Sequence, residues 1–211
     1  MPKPHRANPL ALAVLVSLLE EPMHPYEIAS RLRARKKHES VRLNYGSLYA
    51  VVDALTRRGM IAPQQTQRAG RLPERTVYAL TDTGRTEVQQ WLAELVSTPV
   101  KEYTAFEAAL SFLPALPPAE ARALLEERAQ TLELEAAAGR GQRRLMDERH
   151  FPRLFLIESE FRACLRDAEL DYVQSLIADI DAGRLEGLDV WQRVHRGDGA
   201  FAATDPGPAS N

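Results

Sequence analysis

Hydrophobic positions in the first hundred residues repeat mainly with the period of an α-helix. In the segment that begins near residue 45, Leu48, Val52 and Leu55 lie at i, i+4 and i+7, so one face of that helix is apolar. Asn44 is a favourable N-cap before it, and Gly59 is placed to end it after residue 58. The pattern therefore predicts a helix over about residues 45–58, with one buried face and one exposed face.

Two helices are predicted before this one, and each begins with a proline. Asn8 and His24 occupy the capping positions before Pro9 and Pro25, and proline suits the first helical position. The stretch from residue 10 to residue 20 is apolar almost all round, so we expect the first helix to be covered on more than one side. The second helix carries basic side chains on its outer side at Arg31, Arg33, Arg35, Lys36 and Lys37. We expect that these cations can meet phosphates.

The hydrophobic period changes after residue 60. Residues 61–67 give a weak strand signal, residues 68–73 form a turn with two arginines, and residues 76–80 alternate as a strand does. Thr81 is a candidate N-cap for a fourth helix, which should end near residues 97–99. Helix, strand, basic turn and strand is the order of a winged helix. In that layout the helix enters the DNA major groove, and the hairpin tip reaches the backbone or the minor groove.

The second half of the chain is predicted to be helical. Residues 102–116 are typical of a short amphipathic helix, and residues 119–149 have a helical composition in which Gly139 and Gly141 leave open a kink or a break. A last long helix has apolar residues at spacings of three and four, at Leu154, Ile157, Phe161, Leu165, Ala168, Tyr172 and Leu176. This stripe predicts pairing with the same helix of a second copy. The alternative, that it folds back on the first domain, stays open.

Together these patterns predict a mainly α protein. An N-terminal winged helix-turn-helix, made of three helices and a two-stranded wing, precedes a long-helix C-terminal dimerisation domain. The expected boundaries are residues 1–100 for the first domain, 101–185 for the second, and 186–211 for a partly disordered tail.

Charge is distributed unevenly along the chain. The net charge is −2, yet residues 1–100 hold 14 Lys and Arg against 9 Asp and Glu, whereas residues 101–211 hold 13 against 20. Residues 31–80 alone hold 11 basic and 3 acidic residues. A local basic patch on an otherwise acidic protein favours nucleic acid as the partner.

The sequence offers no pattern for catalysis or metal binding. The five histidines are scattered without partners at metal-ligand spacing, and there is no glycine-rich phosphate loop. The single cysteine, Cys164, is expected to be a buried, unreactive thiol, and its isolation fits a reducing cytosol. No apolar run reaches the roughly 20 residues that cross a bilayer. We therefore expect a cytoplasmic protein that is not an enzyme and has no metal and no cofactor.

Three motifs show a resemblance to a known family. These are His24–Ile28, Asn44–Tyr49 and Tyr78–Gly84. With them, residues 8–97 resemble the PadR family of bacterial transcriptional regulators. The resemblance implies a homodimer on an inverted-repeat operator, usually a repressor, that a small aromatic effector can release from double-stranded DNA.

The resemblance also implies which residues contact DNA and effector. The expected DNA contacts combine positions that match the family's contacts with arginines whose charge would place them beside the DNA backbone. They are Tyr26, Asn44, Ser47, Tyr49, Arg57, Arg68, Gly70, Arg71 and Arg75. The wing departs from the family pattern because Leu72-Pro73-Glu74 follows Gly70-Arg71 where many members have proline and then a basic residue. An apolar effector pocket is expected at Leu12, Leu15, Leu19, Trp91, Leu95 and Phe106. The alternative function is a winged-helix module that binds protein and not DNA.

Overall fold

The computed structural model describes residues 8–67 and 75–198 of the chain. They divide into two units, one within residues 1–102 and the other within residues 103–211. Each unit has its own hydrophobic core, and each is described by itself.

The first unit has the predicted winged-helix order. Its elements are α1 (Pro9–Glu20), α2 (Pro25–Ala34), α3 (Tyr45–Arg57), β1 (Ile61–Gln67), β2 (Arg75–Leu80) and α4 (Asp82–Ser97). The caps are those that the sequence indicates: Asn8 accepts from the Leu10 N–H at 3.0 Å, and Asn44 accepts from the Ser47 N–H at 2.7 Å. The prediction of a mainly α fold with an N-terminal winged helix-turn-helix is thereby confirmed.

One hydrophobic core joins the four helices of the first unit. The apolar face of α3 is buried as its spacing predicts, and Leu48, Val52 and Leu55 contribute to this core. The α1 helix packs against α2, α3, α4 and β2, so it is covered on several sides, as its continuous apolar sequence requires. The core therefore holds α3 by its apolar face and leaves its polar face exposed to solvent.

The two strands form an antiparallel hairpin in which Ile61 pairs with Leu80 and Gln67 with Arg75. The pairing is irregular between Pro63 and Gln65, where proline cannot donate a ladder hydrogen bond. Sequence analysis did not predict a further bridge in which Met23 and Tyr78 exchange two backbone hydrogen bonds of 3.1 Å. This bridge ties the entry to α2 to the base of the wing.

A tight corner connects β2 to α4. The Thr81 hydroxyl donates to the carbonyl groups of Gly59 and Met60, at 2.7 and 2.9 Å, and accepts from the Gly84 N–H at 3.1 Å. A Cβ atom at Gly84 would lie 2.1 Å from the Met60 carbonyl oxygen and 2.7 Å from Leu80 Cδ1. Only glycine fits at this position.

The second unit consists of α5 (Ala105–Ser111), α6 (Pro118–Glu148), α7 (Ile157–Asp181) and α8 (Leu188–Arg196). The α6 helix continues without a break through Gly139 and Gly141, which answers a question that the sequence leaves open. The α8 helix lies in the segment expected to be a tail. It packs back through Trp191, whose indole N–H donates to the Leu116 carbonyl oxygen at 2.8 Å.

The α6 and α7 helices form an antiparallel pair. Val173 is fully buried against Leu125 and Ala129, and Leu170, Leu176, Ile177 and Ile180 pack around them. Charged side chains join the two helices along their length, in the pairs Arg122–Asp181, Arg128–Glu169, Glu135–Arg166 and Arg143–Glu160. Apolar packing and ion pairs thus use one face of α7 within the chain.

Two further findings bear on the predicted chemistry. Cys164 is exposed, so the expectation of a buried thiol is wrong; the face of α7 that carries it is not the face that packs on α6. Across residues 8–67 and 75–198 there is no cluster of three or more His, Cys, Asp or Glu side chains that could hold a metal ion. No helix within the same ranges is long and apolar enough to span a membrane.

Candidate nucleic-acid interface

The polar face of α3 is exposed along its length. Ser47, Tyr49, Asp53 and Arg57 are all exposed on it, opposite the buried apolar stripe. Asn44 sits at the N-terminus and uses its side-chain oxygen for the cap, which leaves its amide group available as a donor. The structure thus brings four predicted contacts, Asn44, Ser47, Tyr49 and Arg57, onto one helix.

Tyr26 of α2 lies beside the start of α3. Its ring stacks on the ring of Tyr45, the first residue of α3, with centroids 6.2 Å apart and an angle of 8° between the ring planes. Tyr26 still exposes 55% of its surface. Tyr26 therefore packs against the third helix. A hydrogen bond from its hydroxyl to a phosphate stays a prediction.

The arginines of α2 have different partners, which the sequence could not reveal. Arg31 pairs with Glu20 at 2.9 Å and with Glu21, and Arg35 pairs with Glu20 through both guanidinium nitrogens. These hydrogen bonds, that from Arg35 above all, lower the pKa of Glu20 and keep it ionised. Arg33 instead donates to the Tyr45 hydroxyl at 2.6 Å. Two of the three arginines expected to meet phosphates are thus already paired with carboxylates.

Most of the contacts predicted for the wing tip cannot be placed in the structure. Arg68, Gly70 and Arg71 lie outside the described residues, and for Arg75 only the backbone of β2 is described. The antiparallel hairpin that carries them is present, so their predicted role in backbone contacts stays a prediction.

The stripe predicted for dimerisation is largely exposed in a single chain. Phe161 exposes 65% of its surface and Leu165 exposes 56%, and Ile157, Ala168 and Tyr172 are also exposed. Leu176 is partly buried at the edge of the α6–α7 core, and Leu154 lies in a 3₁₀ turn before α7 rather than in the helix. The face of α7 that packs on α6 is a different one, centred on Val173.

The residues expected to line an effector pocket are found in three environments. Leu15 and Trp91 are buried in the core of the first unit, and Leu12 packs against that core. Leu19 and Leu95 are exposed, whereas Phe106 belongs to the second unit, with the Arg128 guanidinium 3.7 Å from its ring centroid. A separate cleft of about 350 Å³ lies within the second unit, lined by Tyr172, Leu176, Leu185, Leu188 and Trp191 among others. Sequence analysis did not predict this cleft.

Tyr45 and Arg33 were missed as a pair. Tyr45 begins α3, whereas Arg33 belongs to α2 and lies twelve positions earlier in the chain. The signal that could have found them is helical phase: Tyr26 and Arg33 lie seven residues apart, and therefore on the same face of α2. That face meets the N-terminus of α3.

Comparison with known proteins agrees with this fold. Residues 14–90 match the transcriptional regulator PadR-like family. The match includes α2, α3, the wing and the Thr81–Gly84 corner. No curated protein matches the chain significantly.

Solved structures of the same fold extend into the second unit. Bacillus subtilis PadR in complex with operator DNA is 22% identical, with a TM-score of 0.61, and the alignment covers 81% of this chain and 98% of that chain. The complex of the same protein with p-coumaric acid is also 22% identical, with a TM-score of 0.61 and coverage of 82% and 99%. The Vibrio cholerae virulence activator AphA is 16% identical, with a TM-score of 0.62 and coverage of 82% and 98%.

The family match and the exposed reading face of the winged helix lead to one conclusion. Residues 14–90 match the PadR-like family of transcriptional regulators, and this match, with the winged-helix fold, supports a DNA-binding regulator rather than an enzyme.

Proposed function

We propose that the protein acts as a homodimeric repressor that binds an inverted-repeat operator with one α3 helix from each subunit. The observation that carries this proposal is the exposed apolar stripe of α7, in a helix whose other apolar face is already buried within the chain. A stripe of this length, exposed to water, is typical of an interface. Two-fold pairing through it would present two copies of the α3 face.

The proposed DNA contacts divide into two classes. Ser47 and Tyr49, exposed near the start of α3, would meet base edges or the adjacent backbone. Arg57 and the wing arginines would neutralise phosphates without reading sequence. Substitutions of Ser47 or Tyr49 should therefore change which sequence is preferred, whereas loss of Arg71 should weaken binding to every sequence.

A gel-shift assay and footprint on the region upstream of the protein's own gene would test the proposal. We expect a specific shift at low salt and two protected half-sites with centres about 10 base pairs, or a multiple of that, apart. A repressor should lower the output of a reporter that carries this region, and an increase would contradict that sign of regulation. No shift with any duplex at low salt would favour a protein-binding module.

A small aromatic effector is the second part of the proposal. Bacillus subtilis PadR, which shares the fold, has been crystallised with p-coumaric acid. In this chain we propose that the apolar residues of α1 and α4, which include Leu12, Leu19 and Leu95, hold such a molecule. The cleft beside Trp191 is the competing location.

The two tryptophans distinguish these locations. Trp91 belongs to α4, and Trp191 lines the cleft of the second unit. If p-coumaric acid binds at α1 and α4, its quenching of fluorescence should persist in Trp191→Phe and be lost in Trp91→Phe. The reverse result would place the ligand in the cleft. An absence of quenching in both variants would contradict the effector proposal for this compound.

A further inference from the structure

Three arginines lie on the outer side of α2 or directly after its last residue, but their charges are not equally available. Arg31 and Arg35 are both paired with carboxylates at the end of α1. Within the described part of the chain Arg33 has no carboxylate partner, because its hydrogen bond and its ring contact are both made to Tyr45. The charge of Arg33 is therefore available to an anion, whereas carboxylates compensate the charges of the other two.

Tyr45 holds the Arg33 guanidinium in a defined position. The guanidinium carbon lies 4.6 Å from the ring centroid, and one of its nitrogens donates to the Tyr45 hydroxyl at 2.6 Å. The Tyr45 ring also stacks nearly parallel to the Tyr26 ring, with the centroids 6.2 Å apart. A guanidinium with two contacts of this kind has lost much of its rotational freedom before any ligand arrives.

This arrangement stands at the N-terminus of α3. Tyr45 is the first residue of the helix, directly after the Asn44 cap and two residues before Ser47. The backbone N–H groups of the first turn and the helix dipole add positive potential at the same end. Side chains from α2 and α3 thus converge where an anion would be favoured.

We propose that Arg33 contacts a DNA phosphate beside α3 and that Tyr45 is the positioning residue for this contact. The inference rests on the proposed operator binding and adds residues to it. The Tyr45 hydroxyl holds one of the five N–H donors of the guanidinium, so the others stay available to a phosphate. The contact carries no sequence information, so it should act on all duplexes alike.

Charge-matched variants of the same helix test the assignment to Arg33. Binding of the full-length protein to a duplex from its own upstream region would be measured by fluorescence anisotropy over a series of salt concentrations. For Arg33→Gln we expect about tenfold weaker binding, and a salt slope reduced by about 0.9 per subunit. Arg31→Gln has the same change in net charge, and its salt slope should stay close to that of the wild type.

Variants of Tyr45 separate the effect of positioning the Arg33 guanidinium from the effect of its charge. Tyr45→Phe keeps the ring beneath the guanidinium and removes the acceptor, and Tyr45→Leu removes both. We expect affinity to fall in the order wild type, Tyr45→Phe, Tyr45→Leu, with the salt slope unchanged because the Arg33 charge is still present. Circular dichroism verifies the fold, and should Tyr45→Leu fail to fold, Tyr45→Phe alone decides.

The outcomes distinguish this inference from the function on which it rests. Equal salt slopes for Arg33→Gln and Arg31→Gln would overturn the contact while leaving DNA binding intact. Tyr45→Phe with wild-type affinity would overturn the positioning role. If the wild-type protein binds no duplex at low salt, the proposed function itself fails.

Discussion

At the scale of single residues, the motif Tyr78–Gly84 is a structural corner. Thr81 bonds two carbonyl groups at the end of the α3 segment and caps α4, and Gly84 lies against the Met60 carbonyl group. These contacts join the start of the wing to its end. The motif that helps to identify the family therefore holds the wing on the helices.

The Gly84 packing leads to a stability prediction. In Gly84→Ala the new Cβ meets backbone at 2.1 Å and cannot be accommodated without moving the corner, so we expect a loss of at least about 2 kcal/mol in the free energy of unfolding. Urea denaturation followed by the fluorescence of Trp91, in a Trp191→Phe background, would measure it.

Gly141→Ala is the matched control for this change. No atom lies within 4 Å of a Cβ built at Gly141, which is in the interior of α6. Alanine should therefore stabilise the second unit by up to about 1 kcal/mol. Equal effects of the two substitutions would contradict the role assigned to Gly84.

At the scale of elements, α7 is apolar on two faces. Its Val173 face packs on α6, and its Phe161–Leu165 face is exposed. Sequence analysis found the second face because it is the longer and more regular stripe. It missed the first, since spacing alone cannot say which of two apolar faces has a partner within the same chain.

The ion pairs between α6 and α7 predict a dependence of stability on pH. The Arg122 guanidinium bonds both carboxylate oxygens of Asp181, at 2.7 and 2.9 Å, and lowers the pKa of Asp181 below its ordinary value of 3.8. Because the pKa is lower in the folded state, the pair stabilises the fold above about pH 3.8. That contribution is lost as the pH falls through the lowered value.

Arg122→Gln should therefore reduce the difference in melting temperature of the second unit between about pH 5 and pH 3. Thermal unfolding followed at both pH values by the fluorescence of Trp191, in a Trp91→Phe background, would measure it. Arg149→Gln removes the same charge from an exposed arginine that has no ion pair among the described residues. An equally reduced difference in both variants would show that net charge, and not the Asp181 pair, is responsible.

At the scale of the whole molecule, the proposed dimer joins two DNA-binding winged-helix units through the α7 stripe. Its two charge regions differ in sign, with an excess of basic residues over 1–100 and of acidic residues over 101–211. Such asymmetry can orient the molecule as it approaches a duplex. Two DNA-binding units on one dimer would also bind with a much higher effective affinity than one unit alone.

A charge placed in the α7 stripe should dissociate the proposed dimer into single subunits. Phe161→Glu puts a carboxylate into the proposed interface at a position that is 65% exposed in the single chain, so each subunit should stay folded while the dimer dissociates. Light scattering after size exclusion would show the change in mass, and operator affinity should fall by at least about tenfold.

Ala178→Glu is the control on the same helix. Ala178 is exposed and lies away from the stripe, and the substitution introduces the same charge. It should leave both mass and affinity unchanged. A Phe161→Glu protein that stays dimeric would contradict the assignment of the interface.

Local patterns determined much of this protein. The capping residues Asn8, His24, Asn44 and Thr81, the buried face of α3 and the order of the wing all follow from residues close together in the chain, because caps and helical faces depend on neighbours within a few positions.

Only the tertiary structure decided which charges are compensated, that α6 passes unbroken through two glycines, that α8 folds back, and which face of α7 stays exposed. The reason is physical. Each of these depends on a partner far away in sequence, such as Glu20 for Arg35, Leu116 for Trp191 or Leu125 for Val173, and a pattern along one element records its faces but not what packs against them.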